Sequence, residues 1–195
     1  VILVEDGVAI SHPECHGQGF IPLCRENNHL KVERKVNLWR NIFVLGSPKF
    51  MFILDRPIYT SDVSNSISSW IEEASILPST GMPIDSFRLV LDGNPAFDAS
   101  TYIVQTLHRD AAWQVAMEKC LHRGLLARRI YKRSKFDEFP RVVQGRSVVS
   151  SNFELGELWD AESIVLQYKD RPFAIWESEW GSQLPRAYLC PPPLP

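Results

Sequence analysis

Long apolar runs are missing from this chain. None exceeds about five residues, against the roughly 20 that a membrane-spanning helix requires. The first residues carry neither the basic start nor the extended apolar stretch of a secretory signal. Cysteine is scarce: four residues, at 15, 24, 120 and 190, are too few and too scattered for a disulfide framework and favour a reducing, intracellular setting, cytoplasmic or nuclear. No charge sign dominates, and a net charge of −2 excludes a globally basic nucleic-acid binder while leaving room for a local basic patch.

Several catalytic signatures are absent as well. The sequence holds no G-x-S-x-G of an α/β hydrolase, no G-x-x-x-x-G-K-[ST] phosphate loop and no G-x-G-x-x-G dinucleotide turn. Nucleotide-dependent chemistry thereby loses its usual supports, and no motif amounts to a family signature.

What the chain does have is 195 residues at 45% hydrophobic and 23% charged, the composition of one ordinary globular domain with a single well-filled core. Its organising stretch runs over about residues 50–124. Two apolar runs, FMFIL at 50–54 and FRLVL at 87–91, each end in an aspartate, Asp55 and Asp92, and each precedes a helical pattern. That is the shape of a βαβα unit. In the first pattern Val63, Ile67, Trp70, Ile71, Ala74 and Leu77 recur at helical spacing, and Pro78 should stop the helix. The second pattern carries two stripes out of phase, Ile103, Val104, Leu107 and Ala111, then Trp113, Ala116, Met117, Cys120 and Leu121. This predicts a break or bend at Arg109-Asp110 and an end at Gly124.

Around this unit, Glu5-Asp6-Gly7 between apolar runs 1–4 and 8–10 predicts an N-terminal hairpin. Residues 30–36 alternate apolar and charged side chains as a half-exposed strand does, with Arg34 in phase with Val32. Residues 41–45 should pair antiparallel with 50–54 across the turn at 46–49, and 142–149 should form a short hairpin or a kinked strand. Helices are expected over 160–169 and from Pro172 onward, the latter with Phe173, Trp176 and Trp180 on one side. The expected fold is therefore α/β or α+β with a mixed sheet around the βαβα unit. It divides into a hairpin and His/Cys loop (1–40), a core (41–124), a basic strip and helical region (125–185) and a proline-rich extended tail (186–195).

Three sets of residues are candidates for function. Asp55 and Asp92 at strand ends, with His108, would serve as Mg2+ ligands or as acid and base in a metal-dependent hydrolase or phosphotransfer enzyme; the plainer reading is that each aspartate makes a turn. Cys15, Cys24 and His29, with His12 or His16, are candidate zinc ligands and would make a zinc-stabilised nucleic-acid-binding domain. Their spacing lacks the tight C-x2-C knuckle, so an ordinary polar loop competes with that reading. In Glu33-Arg-Lys35 the E-x-K form of some magnesium nucleases recurs, but the tripeptide is common and a surface strand explains it.

The third set is the basic strip. If the segment is helical, Arg128, Arg129, Lys132 and Arg133 share one face, with Tyr131 adding an aromatic, and no acid lies between Gly124 and Phe136. Such a strip grips phosphates or pairs with the chain's own acids. Trp176 and Trp180 add interface-prone aromatics. The leading expectation is a non-enzymatic interaction or assembly module that meets a protein partner, a second copy of itself or nucleic acid, with no membrane association.

Overall fold

The computed structural model describes residues 1–5, 17–42, 60–126 and 148–180. Four strands, β1 (Ile2–Glu5), β2 (Val32–Asn37), β3 (Phe87–Asp92) and β4 (Val149–Ser151), form one sheet in the order β1-β2-β3-β4. Every described pairing is parallel. The helices are α1 (Ile21–Glu26), α2 (Leu38–Ile42), α3 (Thr60–Thr80), α4 (Phe97–His122), α5 (Ala161–Tyr168) and α6 (Phe173–Trp180). The fold is α/β. Among the described residues no helix is long and apolar enough to cross a membrane.

The winding explains the layers. Each described strand is added beside its predecessor in the same direction, so crossovers of one hand deliver the described connecting helices to the same side of the sheet. Register places Leu3, Arg34, Leu89 and Val149 on one face. That face, with Val32, Val36, Phe87 and Leu91, packs against Ile67, Trp70, Ile71, Ala74 and Leu77 of α3 and Ala99, Ile103, Val104 and Leu107 of α4. The opposite face carries Ile2, Val4, Glu33, Lys35, Arg88, Val90 and Ser150. Ile2 and Val4 are 65% and 72% exposed there.

Helix α4 runs unbroken for 26 residues, which excludes a break at Arg109-Asp110. The change of phase marks a change of neighbour. Its first half feeds the sheet cluster, while Ala112, Trp113, Ala116, Met117 and Cys120 pack with Ile164, Val165 and Trp176 in a second cluster. At 100° per residue the buried stripe swings by roughly 130° around the axis between the two. The helix ends as Gly124 implied. Gly124 has φ +70°, its N–H donates to the Leu121 carbonyl, and Leu125 N–H donates to that of Cys120, the double bond of a Schellman cap.

Other boundaries differ from the sequence reading. Pro78 sits inside α3, which continues to Thr80. The hydroxyls of Ser79 and Thr80 donate to the carbonyls of Ile76 and Leu77, and Gly81 at φ +106° ends the helix. Asn41 and Ile42 close α2 instead of opening a strand, because the chain turns helical as soon as β2 ends. The strand expected at 30–36 is β2, central between β1 and β3, and its side chains alternate buried and half-buried as the half-exposed pattern implied. β1 pairs in parallel with β2. The expected hairpin partner at 8–10, residues 43–45, the FMFIL strand at 50–54 and most of 142–149 lie outside the described residues.

Candidate interaction surface

Three parallel strands bring Asn37, Asp92 and the residue after Ser151 to the carboxyl edge of the sheet, where a strand-end acid would be expected to act. There Asp92 is a loop fastener. Its Oδ1 accepts hydrogen bonds from the Asn94 N–H at 3.1 Å, Asn94 Nδ2 at 2.8 Å and Asn152 Nδ2 at 2.7 Å. Asn152 Oδ1 accepts from the Gly93 N–H at 2.8 Å, and Asn37 Nδ2 donates to the Asn94 carbonyl at 2.6 Å. Burial pushes the Asp92 carboxyl up, but the Asn94 N–H, the amides of Asn152 and Asn94 and the charge of Lys35 outweigh it and hold it below its ordinary value. Among the described strands, β1 to β4 follow one another in a single direction, without the point of reversal where the ligand crevice of open α/β folds forms.

His108 is not brought to Asp92. It lies about 16 Å along α4 from Phe97, at 1.5 Å per residue, and is buried. Burial lowers its pKa, while the nearby backbone of Leu155 and Glu157 acts the other way. Asp55 lies outside the described residues.

The zinc candidates are divided in the same way. Cys24 is fully buried within the sheet cluster, and burial raises its thiol pKa against the thiolate that zinc requires. His29 is exposed in the turn after α1. Among the described residues no three His, Cys, Asp or Glu side chains gather as a metal site. His12, Cys15 and His16 lie outside those residues.

Trp176 corrects a second expectation. It is completely buried, stacked against Trp113 with ring centroids 5.0 Å apart and against Tyr168 at 5.7 Å, while Trp113 and Tyr168 meet edge to face at 4.6 Å. Its Nε1 donates to the Tyr168 carbonyl at 3.2 Å. Three aromatic rings fill the second cluster, so Trp176 has no face to offer a partner. Trp180 closes α6, with its side chain outside the described residues, as are Arg128, Arg129, Tyr131, Lys132 and Arg133.

The tryptophan that does reach the surface is Trp159, 52% exposed, beside Leu158 at 41%. It is held there by the start of α5. Asp160 caps that helix, its carboxylate accepting from the N–H groups of Glu162 and Ser163 and from Ser163 Oγ at 2.7 Å. Glu162 then binds Lys119 at 2.7 Å and Arg123 at 2.8 Å, tying α5 to the end of α4. Those two cations hold the Glu162 carboxyl down at about 2. Farther along, Leu166 and Ile175 are exposed at 68% and 39%.

Sequence reasoning counted Trp159 among the tryptophans of the last quarter but did not single it out, because it precedes the Asp160 cap and belongs to no stripe. It also missed the buried pair Arg34 and Glu73, N to O 3.0 Å with side chains 0% and 3% exposed. Glu73 Oε1 further accepts the Gly17 N–H at 2.9 Å. A signal for this pair was present: Arg34 alternates in phase with Val32, and Glu73 falls three residues after Trp70 and four before Leu77, on the apolar side of α3.

No protein-family model matches the chain, and no curated protein or solved structure is significantly similar to it.

Proposed function

We propose that this chain is a non-enzymatic interaction module that binds a protein partner through the exposed apolar surface of its final described quarter, with Trp159 as the anchor. One observation carries this reading. Trp39, Trp70, Trp113 and Trp176 are 0–6% exposed, whereas Trp159 is 52% exposed. An exposed tryptophan at a helix entrance fixed by a capping carboxylate is a pre-positioned anchor of the kind that dominates interface energetics. The charge beside it favours protein over nucleic acid, because Asp160 follows it directly and Lys119 and Arg123 are both engaged by Glu162. The basic strip at 128–133, which the chain enters soon after Leu126, would add electrostatic steering.

The test is quantitative capture from an extract of the source cells by the full chain and by Trp159→Ala, together with titration of a fluorescent single-stranded oligonucleotide. The reading expects a protein retained by the native chain and lost from the variant. An identical captured set for both chains overturns it. So does oligonucleotide binding that ignores Trp159→Ala but disappears when Arg128, Arg129, Lys132 and Arg133 become Ala.

A further inference from the structure

The surface around Trp159 has a charge as well as an apolar centre. From Val148 to Tyr168 the chain holds Glu154, Glu157, Asp160 and Glu162 and not one lysine, arginine or histidine. Glu162 is engaged by Lys119 and Arg123, and Asp160 by the first turn of α5. Glu154 and Glu157 are exposed, and among the described residues neither makes an ion pair.

The backbone keeps this charge beside the tryptophan. Leu155 packs on the sheet cluster, and Gly156, at φ +74°, runs so close to α4 that an added Cβ would stand 3.3 Å from Gln105 Cγ. On the other side the Asp160 cap holds the chain to α5. Glu157, Leu158 and Trp159 lie between these two fixed points, Leu158 41% and Trp159 52% exposed. At most about 7 Å of backbone separates Glu157 from Trp159. An arginine arriving here can lie on the indole and meet the Glu157 carboxylate at once, since a guanidinium both stacks on aromatic rings and pairs with carboxylates. A phosphate backbone meets repulsion instead.

The same sequence carries the complement of this surface. Between Gly124 and Phe136 stand Arg128, Arg129, Lys132, Arg133 and Lys135, with no acid among them. Leu126, from which this strip departs, packs in the second cluster with Ile164 and Val165 of α5. The strip therefore leaves from the corner that carries the anchor, and two copies exchanging strips about a two-fold axis would satisfy both in one closed contact.

We infer that the Trp159 surface seats the basic strip of a second copy of this chain, an arginine of the strip lying on Trp159 beside Glu157, in a reciprocal dimer. This rests on the reading of Trp159 as a protein-binding anchor and names its occupant.

Sedimentation velocity of the full chain over a concentration series tests the assignment. The native chain should reach the mass of a dimer and lose it as salt is raised. Glu154→Lys with Glu157→Lys, Arg128→Glu with Arg129→Glu, and Trp159→Ala should each weaken the dimer about tenfold or more. An equimolar mixture of the two charge-reversed chains should regain it. A circular-dichroism melt checks that each variant folds, and Gln at the same positions serves where a reversal does not. A dimer indifferent to either reversal, or a mixture that stays monomeric, overturns the inference. A monomeric native chain that still captures another protein, and loses it on Trp159→Ala, overturns the inference alone and leaves the anchor reading standing. If Trp159→Ala changes neither dimer nor capture, both fall.

Discussion

Arg34 of β2 and Glu73 of α3 meet at 3.0 Å in the interior, one guanidinium against one carboxylate between sheet and helix. Neither is solvated by bulk water, so each depends on the other for the cost of its burial. Removing one partner leaves an uncompensated buried charge, whereas neutralising both does not. Arg34→Met should therefore destabilise the fold by about 3–5 kcal/mol. Adding Glu73→Gln, which retains an acceptor for the Gly17 N–H, should recover most of that loss. Urea denaturation followed by tryptophan fluorescence checks both; equal losses for the single and double variants would contradict the pairing.

The tryptophans separate stability from binding. Trp176→Ala empties the centre of the second cluster and should cost about 3–5 kcal/mol. Trp159→Ala should stay within about 0.5 kcal/mol of the native chain while abolishing partner capture. A large stability loss from Trp159→Ala would make it a structural residue.

Two pH windows follow from the ionisable groups. Burial lowers the folded-state pKa of His108 below its ordinary 6.5, so it favours the neutral ring, and its contribution is fully present above that value and lost as the pH falls below it. The Glu162 carboxyl is lowered from 4.5 to about 2 by Arg123 and Lys119. Its contribution is present above 4.5 and disappears as the pH falls toward 2. Denaturation midpoints measured against pH should flatten in the lower window for Glu162→Gln and in the upper one for His108→Gln.

At Gly124 the backbone has φ +70° and open space where a Cβ would stand. The cost of Gly124→Ala is then conformational alone, about 1 kcal/mol, and Gly124→Asn should cost less. A thermal melt of the three chains gives the order; a neutral Gly124→Ala would remove the cap from the account of how α4 ends.

Local periodicity carried much of the fold into the sequence. The α3 stripe, the FRLVL strand, the Gly124 cap and the helix after Asp160 are all written within a few residues of one another, so spacing alone finds them. Parallel strand order is different, because it is decided by pairings such as Leu3 with Arg34 and Leu89 with Val149, far apart in the chain. The two stripes of α4 were legible, but their meaning was not: a phase change looks the same whether a helix breaks or acquires a second neighbour. Of the candidate site residues, Asp92 could be read both ways, and only the amides of Asn94 and Asn152 around it decide for the turn. Trp176 was found as a helix-face aromatic; that its face meets Trp113 and Tyr168 is tertiary information.

The continuity of α4 has a consequence for how the molecule comes apart. One rod of about 39 Å is a shared structural member of both apolar clusters, so neither can release its half without fraying the support of the other. The two clusters should consequently open as a single cooperative unit. In native-state hydrogen exchange the amides near Leu107 and those near Ala116 should report the same opening free energy, with no step in protection at Arg109 and Asp110.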